Sequence, residues 1–420
     1  MDTKILSAIP RGTAPKAAQE AAGVSPGSAA YRRISFALFL AGFASFSLLY
    51  CVQPLLPVFA REFNIGAAQS SLALSLSTGF LAVSILGASA LSERLGRRGM
   101  MFASMSLAAF FNFASALAPG WHSFLLLRAL EGIVLGGVPA VAMAYLAEEI
   151  HPQGLGLSMG LYVGGTAFGG MVGRVGMSIL NDYAPWRAAM SSLGVLDLVV
   201  AIAFVLLLPT SRRFVRRDTL RLANHIALWH GHLSQSKLSA VFGIGCLVMG
   251  VFVTVYNYAG FRLMAPPFSL SATETGLIFS AYVFGIAASS AAGALADRFG
   301  RGIILFAGLA VATIGITLTL STSLNIVVTG IVVLTIGFFI THSVASSWVG
   351  ILAQGAKGYA SALYLLAYYL GSSVLGSVGG LFWQNYRWAG VAAFSLILLA
   401  ACATLATRIV WKGPVSIDAR

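Results

Sequence analysis

Charged side chains are scarce in this chain, and their scarcity excludes most classes of soluble protein. Only 9% of the 420 residues are Asp, Glu, Lys or Arg, and 58% are hydrophobic. Soluble domains contain about 25% charged residues, so this composition, with a mean hydropathy of +0.86, indicates a membrane protein. The net charge of +13 comes mainly from basic residues in short segments between apolar runs. This arrangement is typical of membrane topology, and we expect no nucleic-acid partner.

Cysteine is also scarce, and its positions argue against a metal or disulfide framework. The three residues, Cys51, Cys246 and Cys402, lie inside apolar runs and form no C-x-x-C pair. We interpret them as small apolar packing residues. The sequence also lacks a recognisable phosphate-binding loop, metal cluster or hydrolase triad. We therefore expect neither an enzyme nor a bound cofactor or metal.

Long apolar runs make up most of the remaining sequence. A membrane-spanning helix needs about 20 mainly apolar residues. The runs that meet this requirement are 35–60, 71–91, 99–118, 122–146, 156–180, 187–209, 239–262, 275–296, 302–321, 325–347, 358–381 and 387–411. They predict an all-α membrane protein with twelve transmembrane helices. The first 34 residues, rich in Ala, Gly, Ser and Pro, hold no such run and predict a flexible cytoplasmic tail.

The distribution of Lys and Arg predicts the orientation of these helices. With the amino terminus inside, the cytoplasmic tails and loops hold 20 of the 26 basic residues, and the outer loops and helix ends hold 4. Cytoplasmic loops carry an excess of Lys and Arg in membrane proteins. We therefore expect both termini to lie in the cytoplasm.

A repeated segment indicates that the chain contains two related halves. The stretch Ser89-Ala-Leu-Ser-Glu93-Arg94-Leu-Gly96-Arg97-Arg98 recurs, 204 residues later, as Gly293-Ala-Leu-Ala-Asp297-Arg298-Phe-Gly300-Arg301. Two parallel halves around a central site form a common transporter plan. We predict six-helix bundles at 35–209 and 239–411, joined by a basic cytoplasmic linker at 210–238 and followed by a cytoplasmic tail at 412–420.

The doubled motif resembles the G-x-L-x-D-R-x-G-R loop signature of the major facilitator superfamily. The second copy is nearly complete, and the first has Ser89 in place of Gly and Glu93 in place of Asp. The glycines between Gly160 and Gly173 resemble those of the drug:proton antiporters, although Thr166 stands where that motif has Pro. The segments around His342 and Tyr364 are similar to inner-membrane transport proteins of the YnfM type. That branch is grouped with sugar- and drug-efflux permeases, and the grouping implies export by proton antiport.

The resemblance also implies a role for the doubled loops. In this superfamily they are thought to latch the inner gate through charge pairs that break and re-form. The candidate gating residues are Glu93, Arg94, Gly96, Arg97, Arg98, Asp297, Arg298, Gly300 and Arg301. The alternative is that these basic residues only determine topology.

Arg128 and Glu131 are ionisable residues inside the fourth predicted helix. Burying such a group costs about 2.5–3.5 kcal/mol on insertion scales, so it usually faces a partner or a wet cavity. Their i, i+3 spacing allows a self-neutralised structural pair. The functional alternative is that Arg128 binds a polar solute group and Glu131 takes up a proton.

Gln53 and Arg174 fall at a similar predicted depth. Together with Arg128 and Glu131 they would form a polar shelf in the outer half of the first bundle, provided that all four face inward. Such a shelf suits a polyhydroxyl or anionic solute better than a lipophilic cation. Alternatively, Arg174 only holds two helices together.

Further candidates lie elsewhere in the two bundles. Asp197 is alone in the sixth apolar run and is a weaker candidate for a proton site. His342 is either a satisfied hydrogen-bonding residue or a proton site. Tyr364 and Tyr368 share one helix face, and with Asn257 they are candidates for solute contact.

These features lead to one function and three alternatives. We expect a bacterial inner-membrane, multi-pass secondary transporter that exports a small sugar-like or drug-like solute by alternating access. The proton gradient would be its energy source, and we expect it to act as a monomer in the lipid bilayer. The alternatives are a facilitator or proton symporter that imports a polar nutrient, and a sensor that binds a solute without moving it; a membrane enzyme would need reactive groups that the sequence lacks.

Overall fold

The first six helices of the computed structural model form one bundle. The model describes residues 23–211, 222–353 and 355–410. The bounds of these helices are α1 Ala29–Glu62, α2 Ala67–Ser70 with Leu72–Leu95, α3 Arg97–Ala116, α4 Trp121–Glu149, α5 Pro152–Tyr183 and α6 Trp186–Leu207. All six are long and apolar enough to cross a membrane. Their order agrees with the first six predicted runs.

The second bundle begins after a short connecting helix, Leu222–Leu233, which we call the linker helix. The next helices are α7 Ser236–Leu263, α8 Ala272–Phe299, α9 Arg301–Leu318 and α10 Leu324–Leu352. A helical run of 54 residues, Lys357–Val410, follows. At about 1.5 Å per residue it would be far longer than a bilayer, and it turns back at Arg387, whose φ is 52° and ψ −141°. We call residues 357–386 α11 and residues 388–410 α12.

The prediction of an all-α membrane protein with twelve spanning helices is thus confirmed over the described residues. The structure extends several helices beyond the predicted apolar runs because hydropathy identifies only the part that lies in hydrocarbon. The helix α1 begins at Ala29, six residues before the predicted start, where Ser28 Oγ accepts a hydrogen bond from the Tyr31 amide at 3.1 Å. Residues 1–22, 212–221 and 411–420, which include most of the predicted tails and the basic part of the linker, lie outside the described residues.

The two bundles repeat the same helix crossing. A Cβ atom placed on Gly169 of α5 would lie 2.2 Å from the carbonyl oxygen of Phe43 in α1, so only glycine allows this approach. Gly371 of α11 meets the carbonyl oxygen of Cys246 in α7 in the same way, at 2.0 Å. These two residues follow their counterparts by 202 and 203 positions. The α1–α5 and α7–α11 pairs are therefore structural equivalents.

The doubled loop motif also has one backbone conformation in both copies. Gly96 has φ 84° and ψ 148°, and Gly300 has φ 93° and ψ 138°. Side chains other than glycine rarely adopt such positive φ values. Both loops lie at the same end of the bundles, which we call the motif end; the opposite end, with the α5–α6 and α11–α12 connections, is the far end.

Candidate functional site

A cavity of about 770 Å³ lies between the two bundles. Its walls come from α1, α2, α4 and α5 of the first bundle and from α10 and α11 of the second. Trp229 and His225 of the linker helix, together with Tyr359 at the start of α11, also line it. The cavity therefore extends to the motif end of the molecule.

Contacts between the bundles close the cavity at the far end. Gln53 Nε2 of α1 donates a hydrogen bond to Asn257 Oδ1 of α7 at 2.7 Å. Beside it, the ring of Pro57 lies against Gly260. Between α2 and α11, the hydroxyl of Ser373 donates to the carbonyl oxygen of Ser75 at 2.6 Å. Helices from both halves thus meet in pairs across this end.

Asp182, the last acidic residue of α5, adds a charged contact to this closure. Its carboxylate accepts hydrogen bonds from the backbone amides of Ala272 at 3.3 Å and Thr273 at 2.8 Å. Both amides belong to the first turn of α8. A carboxylate at a helix N-terminus satisfies free amides and complements the helix dipole. Asp182 of one bundle therefore caps a helix of the other.

The wall contributed by the second bundle is aromatic. His342 Nδ1 and the hydroxyl of Tyr364 are hydrogen-bonded at 2.9 Å, and the rings of His342 and Tyr368 lie 4.7 Å apart. Tyr162, the counterpart of Tyr364 in the first bundle, lines the opposite wall. The structure thus brings together three of the predicted residues, on α10 and α11. The residues described around this cavity include no Asp, Glu, Lys or Arg.

Arg128 and Glu131 are fully buried and do not line the cavity. Arg128 Nη1 donates to Glu131 Oε2 at 2.5 Å. The remaining guanidinium donors bind carbonyl oxygens, including those of Leu49 in α1 at 2.9 Å and Ala73 in α2 at 3.1 Å. Arg128 therefore ties α4 to its two neighbours. The second carboxylate oxygen, Glu131 Oε1, has no hydrogen-bond partner among the described residues.

Asp197 of α6 is also fully buried and lies behind α1. Its Oδ2 accepts a hydrogen bond from Ser47 Oγ at 2.8 Å. Its Oδ1, like Glu131 Oε1, has no hydrogen-bond partner within the described ranges. Two buried carboxyl groups thus contact the same short stretch of α1, one directly through Ser47 and one through Arg128.

Arg174 of α5 belongs to a separate group with Gln53 and Asn257. Arg174 Nε donates to Gln53 Oε1 at 2.6 Å, and Gln53 in turn binds Asn257. The guanidinium lies 3.9 Å from the centre of the Tyr50 ring. The predicted shelf therefore divides in two: Arg174 faces the second bundle, while the Arg128–Glu131 pair faces α1 and α2. The reason is helix rotation, which sequence depth does not specify.

Contacts within one half hold the gating candidates that the structure describes. Arg97 Nη2 of the first loop pairs with Glu148 Oε1 of α4 at 2.8 Å. Arg98 donates to the carbonyl oxygen of Val205 at 2.5 Å. In the second loop, Arg301 pairs with Asp297 at 3.0 Å on an exposed surface. The cation of Arg298 lies over the Phe299 ring, and the side chains of Glu93 and Arg94 lie outside the described set.

Several residues of the site were missed in the sequence. Glu148 and Asp182 lie at helix ends, where an acid is ordinarily interpreted as a solvated residue. One signal for the Asp182 contact was available: Ser271 and Glu274 form a capping box that marks the N-terminus of α8. Nothing local, however, indicates that an acid from another bundle reaches this turn.

Comparison with known proteins gives a consistent family. The model of the Major Facilitator Superfamily matches residues 38–263. The chain is 43% identical over 376 residues to the uncharacterized MFS-type transporter YybF of Bacillus subtilis (strain 168), covering 90% of this chain and 93% of YybF. It is 42% identical over 386 residues to the inner membrane transport protein YnfM of Escherichia coli (strain K12), covering 92% of each.

Solved structures share the fold at low sequence identity. A bacterial homolog of the human lysosomal transporter Spinster, in an inward-facing and occupied conformation, matches with a TM-score of 0.73 and 14% identity, covering 92% of this chain and 98% of that one. A D-xylose-proton symporter matches with a TM-score of 0.69 and 17% identity, covering 89% and 96%. At these identities the likeness concerns the fold alone.

Proposed function

The chain belongs to the major facilitator superfamily, and we propose that it exports a small organic solute by alternating access, in exchange for protons. The relatives that it matches are named as transporters, not as enzymes. It is a multi-pass protein of the bacterial inner membrane, like the 42% identical YnfM. The structure would represent one of the two open states of the transporter. The solute would bind in the central cavity, among the aromatic side chains of α10 and α11.

The observation that carries this proposal is the unequal closure of the two ends. At the far end, α1 contacts α7, α2 contacts α11 and α5 contacts α8. At the motif end, Arg97 and Arg301 pair with acids of their own half, and the cavity between the bundles extends to this end. Alternating access requires this difference, because a solute is released on one side only while the other is sealed. With the predicted orientation, the cavity faces the cytoplasm, where an exporter loads.

Proton coupling is supported by the two buried carboxyl groups, Glu131 and Asp197. A buried acid with an unsatisfied oxygen is costly as an anion, and protonation removes that cost. Both acids contact α1, directly or through Arg128, and α1 also carries the Gln53 contact to the second bundle. Proton uptake could therefore be communicated to the far-end closure. Export rests on the resemblance to efflux permeases, and we expect a monomer to be sufficient.

Proton flux in proteoliposomes tests this function. The purified protein would be reconstituted with an imposed pH gradient, and pentoses, hexoses, amino acids, organic anions and lipophilic cations would be added one at a time. We expect one class to dissipate the gradient. We expect Glu131→Gln or Asp197→Asn to abolish solute-driven proton flux, whereas Glu62→Gln, which changes an acid on the far-end surface, should retain it.

Three results would refute parts of the proposal. If labelled solute equilibrates at the same rate with the gradient collapsed, the protein is a facilitator. If a solute binds but neither exchange nor net flux occurs in wild-type vesicles, the protein senses the solute without moving it. Coupling that persists in both acid variants would exclude Glu131 and Asp197 as proton carriers.

A further inference from the structure

Arg174 is a buried cation that lacks an acidic partner. Its side chain is 1% exposed. Within the part of the chain that the structure describes, no carboxylate oxygen lies within 4 Å of it, whereas Arg128, equally buried, is paired with Glu131. Removing an unpaired ion from water costs several kcal/mol, on the order of the whole stability of many proteins. An uncompensated charge kept in this position indicates that an anion neutralises it during some part of the working cycle.

Arg174 donates hydrogen bonds to two neutral oxygens, Gln53 Oε1 and the carbonyl oxygen of Gly170, and aromatic rings surround the rest of its guanidinium. The guanidinium lies 3.9 Å from the ring centre of Tyr50 and 5.0 Å from that of Tyr282. Gln53 holds its Nε and links it to Asn257, whose Nδ2 has no hydrogen-bond partner among the described residues. The unsatisfied Asn257 donor, joined to the cation through Gln53, favours a ligand with more than one acceptor oxygen, because one oxygen could neutralise Arg174 and another could bind Asn257.

This cluster lies directly beyond the cavity wall. Phe46 lines the cavity, and its ring lies 6.1 Å from that of Tyr50. Arg174 is therefore separated from the cavity by two aromatic side chains, Phe46 and Tyr50, at the closed end. The cavity itself is lined mostly by apolar and aromatic side chains, with the hydroxyls of Thr166, Ser346 and Ser361 and no Asp, Glu, Lys or Arg. One end of a solute would thus meet a cation and an amide, and the remainder would meet an apolar surface.

We infer that the transported solute is an amphipathic organic monocarboxylate. Its carboxylate reaches Arg174 and Asn257 when the Tyr50 side chain changes rotamer, and its apolar body occupies the aromatic cavity. This inference rests on the proposed function and gives it a substrate class. A single cation selects a single negative charge, and it repels ammonium groups. The competing interpretation is that Arg174 only fastens α5 to α1 through Gln53. A purely structural arginine would not discriminate between solutes of equal shape.

Binding to the full-length protein in lipid nanodiscs separates these interpretations. The probes are 4-phenylbutanoate, 4-phenylbutanamide and 4-phenylbutylammonium, which share one body and differ in charge, together with octanoate and octanamide as a second body. Isothermal titration calorimetry gives each dissociation constant. We expect each carboxylate to bind about 10- to 100-fold more tightly than its amide, the range of a charge-assisted hydrogen bond, and the ammonium to bind more weakly than the amide.

The Arg174→Gln variant should lose the preference of carboxylate over amide, and Arg174→Lys should keep part of it. Arg187→Gln is the matched control, because Arg187 lies on the far-end surface beside Glu62 and outside the cluster. Equal binding of carboxylate and amide by the wild-type protein overturns the inference, as does a preference that survives Arg174→Gln. Absence of binding by both carboxylates also counts against it. The wild-type probe series decides the matter even if Arg174→Gln fails to fold.

Transport of the same probes distinguishes failure of the inference from failure of the proposed function. If the carboxylates bind through Arg174 but labelled 4-phenylbutanoate does not cross proteoliposome membranes, the site stands and the transport proposal fails for this class. If another solute class exchanges for protons and the carboxylates do not bind, transport stands and the monocarboxylate inference fails.

Discussion

The two bundles share one architecture but differ in what they bury. The α1–α5 and α7–α11 crossings share the close glycine contact at Gly169 and Gly371, and both loop motifs have one backbone conformation. In the first bundle, however, four ionisable side chains of the helix interiors are buried: Arg128, Glu131, Arg174 and Asp197. The bounds of α4 and α10 give a displacement of 203 residues, and α5 and α6 follow one of 202, so the counterparts lie at Ile331, Leu334, Gly376 and Leu399.

The buried polar side chains of the second bundle are neutral. Thr335 shares a hydrogen bond with the hydroxyl of Tyr256 at 2.8 Å, and Trp388 Nε1 donates to Thr319 at 3.0 Å. No Asp, Glu, Lys or Arg among the described residues of this bundle is buried. The two halves thus share the same helix packing, but only the first buries charged side chains in its helices. Under the proposed function, the first bundle handles charge and the second contacts the solute body.

The largest effect should come from breaking the buried pair of the first bundle. Arg128→Met leaves the Glu131 carboxylate buried without its partner, which typically costs 3–5 kcal/mol, and it removes donors from three backbone carbonyls. The matched change in the second bundle, Ile331→Met, should cost below about 1.5 kcal/mol. Thermal unfolding in detergent measures both. The double variant Arg128→Met/Glu131→Leu should recover part of the loss, and equal damage at positions 128 and 331 would contradict the asymmetry.

An intermediate and equal effect is expected where the bundles agree. Gly169→Ala and Gly371→Ala each place a methyl group against a backbone carbonyl, at 2.2 Å and 2.0 Å. Overpacking of this kind costs about 1–3 kcal/mol. Gly164→Ala, where a Cβ atom meets nothing within 4 Å, is the control and should be neutral or slightly stabilising. The same unfolding assay applies, and a clear difference between positions 169 and 371 would show that the two crossings are not equivalent.

The smallest effect should appear at Asp182, where an acid of the first bundle caps α8 of the second. Asp182→Asn removes the charge from the helix N-terminus, an exposed interaction of about 0.3–1 kcal/mol. The far-end closure should weaken by that amount. Ala68 of α2 packs against Gly380 of α11 at this end, and a cysteine at position 68 should therefore react faster with a polar thiol reagent added from that side. Asp297→Asn, an acid at the motif end, is the control. An unchanged labelling rate in Asp182→Asn would mean that the cap does not hold the far end closed.

The sequence was sufficient for elements that depend on local pattern. Apolar run length predicted twelve helices, and the repeated loop predicted the duplication that Gly96 and Gly300 now display. The i, i+4 spacing placed Tyr364 and Tyr368 on one face, and both line the cavity. These features follow from helix geometry and bilayer thickness alone.

Elements that depend on helix rotation and on packing between bundles could not be predicted. Arg128 and Arg174 lie at similar depths, yet one faces α1 and α2 and the other faces α8 and the cavity end. Hydropathy does not specify the rotation of a helix about its axis, so it does not show which neighbour a polar side chain faces. The contact between Asp182 and α8 joins positions 90 residues apart, and it exists only because the two bundles meet at the far end.

The connection between α5 and α6 has a mechanical consequence. Only residues 184–185 separate the end of α5 at Tyr183 from the start of α6 at Trp186, and α11 passes into α12 with a single non-helical residue at Arg387. Two residues span at most about 7 Å, so these short connections do not allow the fifth and sixth helices to move independently. A rotation of the fifth helix in either half must therefore be accompanied by movement of the sixth helix. In the first half, a movement of α5 that displaces Arg174 would therefore also move α6, which carries Asp197.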